Sequence, residues 1–507
     1  MRGRSSGVLL HPTSLPGSFG VGDLGPGATA FLDALSAAGQ SWWQMLPLTP
    51  PGTSRSPFEC RSAFAGDRLL ISPEVLHRDG YLPSAPAPPF SDSAEASLET
   101  AADWKDRLLR RSWEHFRDDG DTSRHRELEN WCEAPEQEYW LDDWALFAAL
   151  DGARTGPAVA WDGWSGGLAR REPEALGRAR RELADEIAYQ RWVQFLFHRQ
   201  LGELVAAAGQ RGIGLIGDLP IYVSFHSADV WARRELFQLD AAGRPTAVAG
   251  VPPDAFTELG QRWGNPLYDW PEHRREDFEW WGRRLKAQLA AAELLRIDHF
   301  RGFVAYWRVP ASDRDARGGR WVRGPGRGFF DAVAAHVDAS RLIAEDLGHI
   351  RPAVHRLRER PGLRGRKVLQ FAFGQDDSDH HPRRHTRHSV VYTGTHDNDT
   401  LRGWYETLDE AARERVLTHL GADADEPAGE IVWRLVATAF ESVAELAIVP
   451  AQDLLGLGGE ARMNRPGTTE GNWAWRMDRP LDDATVERLR DLTESSGRLR
   501  TAAESAR

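Results

Sequence analysis

The sequence predicts an α/β chain built on a (β/α)8 TIM barrel with helical insertions between barrel strands, and three observations carry that prediction. Eight short apolar runs alternate with longer helical patterns. The runs stay apolar to their last residues instead of alternating, as strands buried on both faces of a parallel sheet do. Polar and acidic residues gather where the runs end. An open doubly wound sheet is the alternative architecture, and eight successive β-then-α units favour a closed one.

The first run is 7–13 (GVLLHPT), followed by a helical pattern at 27–39. The second, 41–48 (SWWQMLPL), is separated from the third, 212–221 (GIGLIGDLPI), by a stretch too long for one barrel helix or an ordinary loop. It passes through Pro-rich 82–90 and continues as charged helical patterns from 95 to 210, so 53–210 reads as an inserted, largely helical subdomain. After the third run, 223–274 reads as a second, loop-like insertion carrying GVPPDAFTELGQRWGNPLYDW. The remaining runs are 294–300 (LLRIDHF), 341–347 (RLIAEDL), 366–373 (RKVLQFAF), 389–397 (SVVYTGTHD) and 446–453 (LAIVPAQD), with clear helical patterns at 276–292 and 429–444. The whole chain, 1–507, reads as a single catalytic barrel that ends in a terminal helix and a frayed polar tail over 481–507.

At 507 residues and 41% hydrophobic, the chain has ample material for a core, and its net charge of −12 supplies no field to attract nucleic acid or an anionic membrane. Two cysteines exclude a disulfide framework or a cysteine-based metal site. The N-terminal MRGRSSGVLLHPTSLPG has no apolar stretch long enough for export and no long apolar run follows, so a cytoplasmic protein is expected. The 21 tryptophans exceed what an ordinary core needs, and flat aromatic faces stack on sugar rings as well as packing in cores.

In a barrel the acting residues sit where strands end and β-to-α loops begin. The run ends supply Asp218, Asp298, Glu345, Asp397 and Asp453. Each alone could cap the following helix. Together they would repel one another at one mouth, which is tolerated where a cation binds or where chemistry needs shifted pKa values. A divalent-metal site could draw on His226, His299 and His396; carboxylate acid/base catalysis is the other option. Arg296 lies two residues before Asp298, on the same face of an extended strand, and an adjacent guanidinium keeps a carboxylate ionised as a nucleophile requires. Glu345 has no basic neighbour in IAEDLG, which points to a raised pKa and a general-acid role. One ionised and one protonated carboxyl among aromatics is the arrangement that breaks a glycosidic bond.

LRIDHFRGF, LIAEDLG and YTGTHDNDT, in that order, together with GQRWGNPLY, KVLQFAF and the opening HPTSLPG, closely resemble the amylomaltases. These are the 4-α-glucanotransferases of glycoside hydrolase family seventy-seven, relatives of the α-amylases. The resemblance runs from about Leu10 to Trp475 and weakens in the helical insertion and the tail. It implies that Asp298 is the nucleophile, Glu345 the acid/base and Asp397 the third carboxylate, which holds sugar hydroxyls and helps distort the ring. It implies substrate contacts at Arg296, His396, Asp218 and Phe58, a lid segment carrying Trp263 and Asn265, an acceptor-side aromatic at Phe371, and cleft-bordering Asn464 and Asn472. It further implies maltooligosaccharide and α-1,4-glucan donors and acceptors, no cofactor and no metal. The sequence agrees on the last point in having no glycine-rich phosphate loop and no calcium loop of EF-hand spacing.

The residues keep simpler readings open. Trp263 could be a core residue, Phe371 could fill the barrel beside Leu369 and Phe373, Arg296 could pair with a carboxylate other than Asp298, and His299 could support its loop by a hydrogen bond without touching sugar. Three positions depart from the family pattern: Phe58 stands where SPY is usual, the loop PPGTSRSPF lacks a tyrosine, and His226 replaces an acidic residue. The rival within the enzyme class is a hydrolase of the α-amylase type. A non-catalytic glucan-binding protein would be marked by loss of one of the three acids, and all three are present.

Overall fold

A computed structural model describes residues 3–90, 97–154, 159–253, 257–347, 352–374, 378–468 and 470–500. Its strands, in chain order, are β1 (Ser5–Leu9), β2 (Trp42–Gln44), β3 (Gly214–Leu219), β4 (Ala247–Val251), β5 (Gln261–Pro266), β6 (Leu294–Ile297), β7 (Ala305–Pro310), β8 (Arg320–Arg323), β9 (Leu342–Ala344), β10 (Gly365–Val368), β11 (Ser389–Tyr392) and β12 (Leu446–Pro450). The eight apolar runs supply one parallel sheet in the order β10-β11-β12-β1-β2-β3-β6-β9. Its ends meet through a parallel bridge between Ile343 and Arg364, where the Ala344 amide donates to the Arg364 carbonyl at 2.9 Å. The barrel therefore closes, with helices outside it, and leaves no open edge.

Every barrel strand sends a residue into the lumen: Leu9, Trp42, Ile216, Leu294, Ile343, Val368, Val390 and Leu446 belong to one buried cluster. Trp42 is the largest of these, and its neighbours make room for it. Gly7 on β1 and Gly214 on β3 flank Trp42 in register, and a Cβ at either would come within 2.5 Å of it. The next residue, Trp43, points to the opposite face and packs edge-on against Phe31 of the helix Pro26–Ala37 at 5.0 Å. The outer shell is made by amphipathic helices such as Ala428–Glu441, which buries Ile431, Val432, Leu435, Val436, Ala439 and Phe440 at helical spacing.

Between β2 and β3 the chain folds into the helices Leu98–Asp118, Thr122–Cys132, Leu141–Gly152, Pro173–Glu182 and Ala184–Gln210. Ser97 and Asp121 cap the first two through their side chains. Lys105 is buried and donates to Asp23 and to the carbonyls of Leu69 and Ile71, tying the first of them to the barrel side. The stretch 223–274 is more ordered than its loop-like sequence indicates. It contains β4 and β5, which join β7 and β8 in an antiparallel sheet of order β5-β4-β7-β8. Residues 254–256 of the expected lid lie outside the described residues, as do 501–507 of the expected polar tail. The terminal helix Asp483–Ser495 is followed by Arg498, buried under the barrel and donating to the carbonyls of Ser5, Phe440, Ser442 and Ala444. Among the described residues no helix is long and apolar enough to cross a membrane.

Candidate active site

Asp298 and Glu345 follow directly on neighbouring strands. β6 and β9 pair Arg296 with Ile343 and Ile297 with Ala344, so the next step in register sets Asp298 beside Glu345. The backbone ladder reaches both: the Asp298 amide donates to Leu219 O at 3.0 Å, and the Glu345 amide to Ile297 O at 3.1 Å. The positions of the two acids are thus fixed by the barrel rather than by free loops.

Arg296 is the electrostatic centre of the site. Its guanidinium donates to both oxygens of Asp218 at 2.6 and 2.7 Å and to Asp298 Oδ1 at 2.8 Å. Asp218 stands opposite Arg296 in the β3–β6 register, and both side chains are buried, with 3% exposure or less. Burial pushes the Asp218 carboxyl up to about 7, against the pull of Arg296. Asp298 keeps part of its surface open to the mouth. Both sequence readings of Arg296 therefore hold at once: it pairs with Asp298 and with a second carboxylate that its own strand could not reveal.

Glu345 is held by backbone amides. His299 N donates to its Oε2 at 2.9 Å and Leu347 N to its Oε1 at 3.2 Å. The residue after it, Asp346, faces away and accepts from Arg366 N at 2.8 Å while pairing with Arg358, which pins the end of β9 to β10. Asp397 follows β11. Its Oδ1 accepts from the Asn464 amide at 2.7 Å, and its own carbonyl accepts from Arg462 at 2.6 Å. Burial raises the Asp397 carboxyl, but His396, the Asn464 amide and the guanidiniums of Arg296 and Arg366 outweigh it and leave the group below the usual aspartate value. Burial lowers His396 to about 4, so its ring is neutral near neutral pH.

Aromatic surfaces surround these acids. Phe58 stacks on His396 with ring centroids 4.7 Å apart, and the Arg296 guanidinium lies 5.8 Å from the Phe58 ring centre. Trp263, on β5, is 37% exposed, which fits neither a core nor a buried packing role. Its ring stands edge-on to His299 at 4.9 Å. Phe371 is 43% exposed, on a short 3-10 turn (Leu369–Phe371) that follows β10, so it does not fill the barrel.

Other candidates are placed differently. The Asn265 amide donates to Val223 O at 3.0 Å and braces the lid segment. Asn472 closes its own loop: its oxygen accepts from Arg465 N at 2.8 Å and its nitrogen donates to Thr468. Asp453 does not join the carboxylates at the mouth. It lies within the helix Ala451–Leu454 that follows β12 and does not cap it; its oxygens accept from the Thr393 hydroxyl and from Leu401 N, the first amide of the helix Leu401–Thr407, and burial pushes its carboxyl up to about 7. His226 bonds Asp151 at 2.9 Å and accepts from Trp161 N, joining the helical insertion to the loop after β3. Among the described residues no group of three or more His, Cys, Asp and Glu side chains is arranged to hold a metal ion.

Two residues escaped the sequence reading. Arg462, two before Asn464, donates to the carbonyls of Asp397 and Asn464 and so clasps two loops together. Arg366 is buried in the lumen with its guanidinium 5.0 Å from the Tyr392 ring centre. A charge two residues before the lumen-facing Val368, and so on the same face of the strand, was the signal available for it.

Comparison with known proteins agrees with this geometry. Residues 10–482 match the 4-alpha-glucanotransferase family, glycoside hydrolase family 77. A 4-alpha-glucanotransferase of Thermus thermophilus is 46% identical over 98% of this chain and 99% of its own length. The chloroplastic/amyloplastic 4-alpha-glucanotransferase of Solanum tuberosum is 43% identical over 98% of this chain and 87% of its own. An amylomaltase from Streptococcus agalactiae, solved in complex with acarbose, superposes with a TM-score of 0.91 at 34% identity, over 98% of this chain and 99% of that one. This chain belongs to the 4-alpha-glucanotransferase family.

Proposed function

We propose that this protein is a 4-α-glucanotransferase that cleaves an α-1,4-glucosidic bond in maltooligosaccharides or amylose and passes the glucanosyl unit to the 4-hydroxyl of an acceptor glucan. The observation that carries the reading is Arg296 held between Asp218 and Asp298, with Glu345 next to Asp298 across the β6–β9 pair. Neighbouring strands lie about 4.8 Å apart, which suits the separation of about 5–5.5 Å that retaining enzymes need between nucleophile and acid/base.

In the first step a carboxylate oxygen of Asp298 attacks the anomeric carbon. The bond from that carbon to the glycosidic oxygen breaks, and Glu345 gives its proton to the departing oxygen. In the second step Glu345 takes the proton from the acceptor 4-hydroxyl, whose oxygen displaces Asp298 and restores the original anomeric configuration. Arg296 holds Asp298 through Oδ1 and fixes the direction of the attacking carboxylate. Asp397, aligned by Asn464, accepts hydrogen bonds from sugar hydroxyls, and His396 with Phe58 provides a flat wall beside it. Trp263 and Phe371 are platforms for glucose rings on the approach to the bond that breaks. A lid built on β4 and β5 that closes over bound glucan excludes water and favours transfer over hydrolysis. Action in the cytoplasm without a cofactor is part of the same proposal.

Incubation with maltotriose tests it. A transferase gives a ladder of shorter and longer dextrins, whereas formation of shorter sugars alone would make the protein an α-1,4-glucan hydrolase.

A further inference from the structure

His299 adopts a left-handed backbone conformation, φ 47° and ψ 46°, a small region that residues with a side chain enter uncommonly, Asn, Asp and His more than the rest. That conformation turns its amide away from the strand ladder and onto Glu345 Oε2 at 2.9 Å. The imidazole of the same residue meets the edge of Trp263, with ring centroids 4.9 Å apart and planes at 87°. It also packs over Gly302, where a Cβ would come within 3.4 Å of its Cδ2. The ring Nε2 is sealed from solvent and has no hydrogen-bond partner among the described residues. Packing, and not hydrogen bonding at Nε2, therefore sets the orientation of this ring.

We propose that His299 is a positioning residue that couples the lid tryptophan to the acid/base carboxylate, so that seating Trp263 on glucan steadies the amide that holds Glu345. This deepens the glucanosyl-transfer reading and rests on it. The physical link is short: Trp263 ring, His299 ring, His299 backbone, Glu345 carboxylate. The left-handed well is narrow for a residue with a side chain, so a displaced imidazole moves φ and with it the direction of the amide. Hydrogen bonds weaken steeply as they bend. The plainer account makes His299 a turn former that starts the 3-10 turn Phe300–Phe303, in which case its ring is dispensable.

The two accounts separate in a double-mutant cycle. His299→Gly keeps the left-handed backbone at no steric cost and removes the ring. His299→Asn, which also tolerates that backbone, carries the same cycle if the glycine variant melts below the assay temperature. Each is crossed with Trp263→Ala, and kcat/KM is read on maltotriose consumption. Coupling predicts that the second substitution adds little once the first is made, leaving an interaction of about tenfold, the size found for residues in contact. It also predicts that the His299→Gly loss shrinks with a donor whose leaving group needs no protonation. Effects that simply multiply, or equal losses with natural and activated donors, overturn the proposal. Failure of the underlying function looks different: wild-type protein yields no longer dextrins, while the cycle on maltotriose consumption still decides the coupling.

Discussion

Asn464 donates its side-chain amide to Asp397 Oδ1 across 2.7 Å, although 67 positions separate the two in the chain. The contact joins the loop after β11 to the loop after β12, and Arg462 fastens the same two loops through their carbonyls. It also helps to hold the Asp397 carboxyl below its usual value against the opposing effect of burial.

Replacing Asn464 with Leu should therefore raise the Asp397 pKa. A carboxyl with a depressed pKa stays ionised until the pH falls through that low value; without the amide it takes up its proton at higher pH. The acidic limb of kcat/KM should move upward, and activity on the plateau should fall by about 1.5–3 kcal/mol, roughly ten- to 150-fold, as for loss of a hydrogen bond to a charged group. A pH series with maltotriose measures both. An unmoved acidic limb would reduce Asn464 to a loop brace.

Asp298→Asn should abolish turnover while leaving the melting temperature nearly unchanged. The Arg296 guanidinium keeps its two bonds to Asp218, so no buried charge is stranded. Asp218→Asn is the contrast: it removes the carboxylate that takes two of the guanidinium's three bonds and leaves Arg296 with Asp298 alone, so its melting temperature should fall below that of Asp298→Asn. Thermal melts of the two variants alongside rate measurements distinguish the nucleophile from its electrostatic support.

Glu345→Gln should slow formation and breakdown of the covalent intermediate on natural glucans. A donor with a good leaving group needs no proton, so its first step should largely recover and the glucosyl-enzyme should accumulate. Mass spectrometry of the intact protein after mixing reads this directly. Equal impairment on both donors would take the acid/base role from Glu345.

Asp453 makes a prediction about stability and pH. Its buried carboxyl is pushed up to about 7, so the folded state holds its proton at pH values where the unfolded chain, with an ordinary aspartate pKa of about 3.9, has released it. The sign is that of a raised carboxyl: stability is lost as pH rises from about 4 to about 7. Asp453→Asn keeps an acceptor for Leu401 N and a partner for the Thr393 hydroxyl, and should remove this part of the pH dependence. Denaturant melts at pH 5 and pH 8 should show the variant gaining on wild type at the higher pH.

The sequence made these features legible to different degrees, for physical reasons. Barrel strands are buried on both faces, so their apolar runs stood out, and even the three-residue β9 was visible in RLIAEDL. The antiparallel sheet was not: β5 (QRWGNP) and β8 (RWVR) are short and mostly exposed or only partly buried, with no apolar alternation to find. Within the site, the Arg296–Asp298 pair followed from strand alternation alone. The Arg296–Asp218 pair depended on the register between β3 and β6, and the Asn464–Asp397 bond on loops that meet only after the barrel closes. Asp453 shows the limit from the other side, because an acid that ends a strand reads the same whether it faces substrate or caps Leu401.

Trp263 brings the lid to a measurement. It is 37% exposed and its covered part meets the rings of His299 and Tyr222 without belonging to the hydrophobic core, so truncation to Ala should cost about 1 kcal/mol, the middle of the range for single substitutions. A buried tryptophan would instead cost about 3–5 kcal/mol. Loss of the ring should weaken use of maltotriose, because a stacking platform for the sugar is gone. It should also admit water to the covalent intermediate and raise free glucose release relative to longer dextrins. Both quantities come from one chromatogram at several maltotriose concentrations, with a melting curve beside it. Transfer to acceptor falls behind hydrolysis most at low maltotriose, where acceptor is scarce and the lid alone keeps water out, so the ratio should diverge from wild type there first. A product ratio that matches wild type across the whole series would leave Trp263 exposed and without a part in the reaction.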